Sequence, residues 1–103
     1  MIAFQVAKIL AKVIVFFEMS DEKTVDPDEA VEMMEVIGYD IDQFEKGFLR
    51  ELIDAFPLVA LEYEGEAQKL VRNIPWHFYL EETLAEDDPV RLAELEALRD
   101  AAD

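Results

Sequence analysis

His77 is the one histidine of the chain, and there is no cysteine. Any imidazole-based catalysis or metal binding must therefore be built around a single side chain. It stands in Pro75-Trp76-His77-Phe78-Tyr79, with Glu81 one helical turn further on. Helical di-metal centres place a glutamate three residues before the histidine, but here that position is Ile74, which has no ligand atom. The spacing reads as a partly buried histidine with a carboxylate neighbour, not as a zinc site. Asp40, Asp42 and Glu51 fall at loop positions one, three and twelve of a calcium-binding EF-hand. However, position five is Phe44, and Glu45 replaces the glycine needed at position six. Carboxylate pairs suited to acid–base work abound by chance when 25 of 103 residues are Asp or Glu, and no Gly-rich phosphate loop or nucleophile motif accompanies any of them. The expectation is a protein that is not an enzyme and that has no catalytic residues, no cofactor and no metal.

The acids themselves carry the functional information. The formal net charge is −16, and it is unevenly spread. Residues 1–17 hold two lysines and no acid, a net of +2. Residues 18–45 hold eleven acids and one lysine, a net of −10. Residues 46–78 come to −1, and residues 79–103, with nine acids and two arginines, to −7. Such a surface repels nucleic acid, whose binding draws on Lys and Arg to release counterions, and it disfavours anionic membranes for the same reason. Direct nucleic-acid binding and membrane association are not expected; a basic protein partner is.

Stepping along the chain, Gln5, Lys8 and Lys12 are spaced three and four apart, an arc of about 60° on a helix. The rest of Ile2–Phe17 is apolar. The run Val13–Phe17 is rich in strand formers, but the lysine spacing decides for a helix. Lysines interrupt the apolar run and no small-residue cleavage site follows, unlike a signal peptide. The stretch between Lys12 and Glu18 is also far shorter than the roughly 20 apolar residues of a membrane span. The reading is a soluble, cytoplasmic chain. Asp26-Pro27-Asp28-Glu29 gives a helix start with Asp26 as N-cap and Pro27 in the first turn, and Val31, Met34 and Ile37 supply its inward face. Gly38 ends or bends that helix. Asp42 is expected to cap a second one, whose buried stripe is Phe44, Phe48, Leu52 and Phe56 and which stops or kinks at Pro57. Short helical pieces follow, broken near Gly65 and before Pro75. Pro75–Leu84 reads as one helix, and Asp88-Pro89 starts the last, with Leu92, Leu95 and Leu98 on its inner face. The fold expected is all-α: one domain over residues 1–103, a compact bundle of about five helices with an apolar N-terminal helix.

Three surfaces are candidates for recognition. The first is the acid run around Asp28, Glu29, Glu32 and Glu35, read either as a solvated helix face or as a docking face for a basic protein. The second joins Trp76 and Tyr79 to Glu81, Glu82 and Glu86, the composition of an aromatic anchor rimmed by charges that steer a basic partner. The third is the N-terminal helix. One bundle core covers only part of it, so Phe4, Ala11, Val15 and Phe16 are expected to face a second copy in a homodimer. The leading functional expectation is a small acidic inhibitor or chaperone of a basic partner, of the kind typified by immunity proteins and antitoxins. A nucleic-acid mimic, with acids arrayed along an elongated face, and a non-catalytic structural subunit of an oligomer are the alternatives.

Overall fold

The computed structural model describes residues 1–102, and these form seven helices with no strand among them. The first, α1, runs from Ile2 to Met19. Its buried line is Ala3, Ala7, Ala11 and Ile14. Alanine at every fourth position makes a smooth ridge, which lets α1 lie closely along α3, its main neighbour. The strand formers Val13–Phe17 stay helical because that ridge extends one more turn to Ile14. On its other side α1 is mixed: Ile2, Ile9, Phe16 and Met19 are exposed beside Gln5 and Lys12. Ser20 ends it, with its amide N–H donating to the Phe16 carbonyl.

α2 spans Pro27–Asp42. Asp26 caps it as expected, its Oδ1 accepting from the amides of Asp28 at 2.8 Å and Glu29 at 3.3 Å. Gly38 neither ends nor divides this helix. A Cβ there would meet the Phe78 ring at 3.0 Å, so the glycine lets α2 rest on that ring. Only Ile41 of α2 is fully buried, while Met34 and Ile37 pack partly against the core. Val31, expected to point inward, is exposed.

α3, Lys46–Ala60, is the centre of the molecule, burying Leu49, Leu52, Ile53, Ala55, Phe56, Val59 and Ala60. Glu45, not Asp42, stands at its N-cap position, and Phe44 lies before the helix, partly exposed with its ring edge-on to Phe48. Pro57 does not stop it. A proline inside a helix costs about 3 kcal/mol, whereas burying a side chain such as Phe56 or Val59 returns about 1.5–3 kcal/mol each. The buried residues on both sides of Pro57 outweigh the one lost backbone bond.

The remaining helices are α4 (Gly65–Arg72), α5 (Ile74–His77), α6 (Leu80–Leu84) and α7 (Pro89–Ala102). Gly65, at φ +62°, opens α4; left-handed backbone of this kind is what glycine supplies without steric cost. The stretch Pro75–Leu84 is two one-turn helices, because Tyr79 between them is left-handed at φ 57°. That split, together with the separate α4, raises the count from about five to seven. Val71, Ile74 and Leu80 close the core against α3. α7 contributes one buried residue, Leu95, while Leu98 is exposed. No helix among the described residues is long and apolar enough to cross a membrane.

Candidate docking surface

The acid run of α2 lies wholly in solvent. Asp28, Glu29, Glu32 and Glu35 are all exposed, and at about 100° per residue they share an arc of about 120° on the side away from Met34, Ile37 and Ile41. None of the four carboxylates has an ion pair or a hydrogen bond to its side chain among the described residues. Glu32 stands at i+4 from Asp28, i+3 from Glu29 and i−3 from Glu35, where like charges repel. Val36 and Tyr39, the latter 66% exposed, stand within the same face.

The second candidate surface is built differently. Arg99 of α7 inserts its guanidinium between two rings, 3.9 Å from the centroid of Trp76 and 3.7 Å from that of Tyr79. It also donates to the Trp76 carbonyl at 2.8 Å and to both oxygens of Glu82. The hydrogen bond from Arg99 holds the Glu82 carboxyl below its ordinary value, against the opposing effect of partial burial. Arg50 of α3 grips Glu81 in a fork, Nη1 to Oε1 at 2.8 Å and Nη2 to Oε2 at 3.1 Å, and reaches Asp54 at 2.7 Å. Glu86 and Asp87 share Lys46 at 3.2 and 3.1 Å; these bonds, Asp87 first, raise the lysine's affinity for its proton. Asp88 accepts from the Arg91 amide at the start of α7. The acids proposed as a steering rim are thus consumed in tying α6 and the turn before α7 to α3, and α7 to α6. Trp76, still 38% exposed, is neither enclosed in the core nor free. Glu81 turns to Arg50, not to His77, and no group of three or more side chains that could hold a metal ion occurs among the described residues.

On α1, Ala11 is completely buried against the core and belongs to no outer face; Phe4 and Val15 are partly buried against it. Only Phe16 of the expected interface set is exposed. Its companions on the open side are Ile2, Ile9 and Met19, which a reading of the lysine strip alone does not select. The seven-residue steps Ile2–Ile9–Phe16 are the signal in the sequence that marks them.

Between α1 and α2 the packing is thin, and two cavities of about 220 Å³ open along it, the first where α4 and α5 meet the two helices and the second at the loop that joins them. One is lined by Ile14, Met34, Leu70, Ile74 and Phe78, with His77 at its edge; the other by Phe17, Val25, Pro27, Ala30 and Val31, with Ser20 and Glu22. Glu18 borders both and has no ion pair or hydrogen bond from its side chain among the described residues. Asp28 and Glu35 lie at i−3 and i+4 from Val31, along the bank of the second cavity.

Compared with known proteins, the chain matches no family model, no curated protein and no solved structure.

Proposed function

We propose that this chain is a protein-binding protein whose α2 face docks a basic partner and neutralises or shields it, as immunity proteins and antitoxins do. The observation that carries the reading is the crowding of Asp28, Glu29, Glu32 and Glu35 without cations, in a chain that pairs six of its nine Lys and Arg residues elsewhere. Carboxylates kept for solubility alone would gain from being spread out or paired. Exposed Val36 and Tyr39 within the same patch supply the apolar contact that charge alone does not. Acids compact around an exposed aromatic favour an inhibitor over a nucleic-acid mimic, which needs them in a long row.

The test is affinity capture from the native host with the wild type and with Glu32→Lys/Glu35→Lys side by side. A basic protein retained by the first and lost from the second supports the reading; a retained set that ignores the substitutions overturns it. The companion proposal is a homodimer through the open side of α1, the least acidic surface of the chain and so the one where two copies meet with least repulsion. Light scattering at micromolar concentration should give a dimer that Ile9→Glu converts to monomer.

A further inference from the structure

We infer that the groove between α1 and α2 receives an amphipathic helix of the basic partner, with its apolar side chains in the two cavities and a lysine or arginine against Glu18; this rests on the reading of α2 as the docking face. The cavities are mostly apolar, and they open along the first two-thirds of α2, whose one fully buried residue, Ile41, lies at its far end beyond Met34, Ile37 and the Gly38–Phe78 contact. Each has room for one large apolar side chain, and their α1 walls, Ile14 and Phe17, are about one turn apart. A carboxylate with no cation of its own, set between two apolar hollows, matches a cation flanked by apolar anchors. Asp28 and Glu35 continue the negative bank along Val31. No strand edge is present among the described residues to accept an extended peptide, so the mode that fits a groove walled by α1 and α2, with α4 and α5 closing the first cavity, is a helix laid in it and read at i, i+3, i+4 and i+7.

The probe is an 18-residue leucine–lysine peptide with its leucines on one helical face, compared with an isomer of identical composition whose leucines are scattered around the helix. Charge and mean hydropathy are equal, so any preference reports an apolar docking surface, and the resonances that shift say which one. At about 150 mM salt the amphipathic isomer should bind at least tenfold tighter and shift the methyl resonances of Ile14, Met34 and Ile74. Glu18→Lys should weaken it about tenfold, and Ala30→Phe, which fills the second cavity, should do the same. Equal binding of both isomers, abolished by salt, would overturn the groove while leaving the acidic face intact as a docking surface. Shifts confined to Ile2, Ile9 and Met19 would overturn it in favour of the outer side of α1. Binding of neither isomer, even at low salt, would remove both this inference and the reading it rests on.

Discussion

α2 and the segment from α6 to the start of α7 carry similar numbers of carboxylates and use them in opposite ways. Glu81, Glu82, Glu86 and Asp87 each meet a lysine or arginine from a distant part of the chain, and Asp88 meets a backbone amide. In α2 only Asp42 has a distant partner, the Thr83 hydroxyl at 3.1 Å. The bases that reach this segment start from α3 and α7, so the ion pairs there do structural work, tying the one-turn α6 to the central helix and α7, which buries only Leu95, to α6. α2 needs no such ties at its outer face, because Met34, Ile37 and Ile41 hold its inner one. Clustered acids in a sequence therefore carry two meanings, and what separates them is whether a cation elsewhere in the fold reaches them.

The largest effect that follows belongs to the paired region. Arg99 joins two rings, a carbonyl and a carboxylate in a helix that buries only Leu95. Removing it leaves Glu82 partly buried without its cation. Breaking a fully buried pair costs about 3–5 kcal/mol, and this one is partly open, so Arg99→Ala should cost about 2 kcal/mol in urea unfolding. Amide exchange in α7 should rise with it. A loss no greater than that of a surface arginine would mean the pair is ornamental and the contrast with α2 weaker than drawn.

Next comes the unpaired region. Glu32→Lys/Glu35→Lys should slow association with a basic partner about tenfold at low salt, which is about 1.4 kcal/mol. The difference should shrink as salt screens charges beyond about 8 Å near physiological ionic strength. The same double reversal at Glu86 and Asp87 should alter the on-rate far less, because Lys46 already neutralises part of that charge. Equal slowing by both pairs would erase the distinction between the regions.

This distinction marks where sequence reading stops. The helix starts at Asp26-Pro27 and Asp88-Pro89 were legible because a cap acts within four residues, and the all-helical class was legible from apolar periodicity. The pairing of Glu82 with Arg99, seventeen residues on, leaves no local trace: Arg99 looks like any solvent-facing position of a Leu92–Leu95–Leu98 helix. Pro57 does not stop the helix because a local rule met a tertiary one, the burial of Phe56, Val59 and Ala60. Ala11 misled for a related reason. Alanine is weakly apolar by size, yet its smallness is what brings α1 against α3, so the face richest in small residues is the most buried. Composition marks the acids of α2, and what composition does not tell is that no cation among the described residues pairs with Asp28, Glu29, Glu32 or Glu35.

A smaller effect separates the regions by pH. The Glu82 carboxyl is held below its ordinary value of 4.5. A carboxyl whose folded-state affinity for protons is depressed contributes stability that is complete above its unfolded value and is lost as pH falls through the folded one. The stability difference between wild type and Glu82→Gln should therefore be constant above about pH 5 and vanish as the pH drops below 4.5 towards the depressed value. Its size, less than that of Arg99→Ala, should be about 1 kcal/mol. A difference that persists unchanged into strong acid would show that Glu82 acts by shape and not by charge.

The smallest effect is the most discriminating, because its sign reverses. Glu32 faces Asp28, Glu29 and Glu35 at helical spacings where like charges cost about 0.2–0.5 kcal/mol per pair. Glu32→Gln removes all three repulsions and no observed contact, so it should stabilise the chain by about 0.6 kcal/mol at low salt, the low end for three such pairs on an exposed face. The gain should fade as salt is raised, since the repulsion it relieves is itself screened. The same change at Glu82 should destabilise the chain. Thermal unfolding of the two variants at low and high salt reads both signs in one series. If Glu32→Gln instead lowers the melting temperature, the carboxylate is paid for by a contact within the chain, and its availability to a basic partner no longer explains why it is there. If it raises the melting temperature while slowing association, α2 holds its acids at a cost to the fold, which is the pattern of a surface kept for binding.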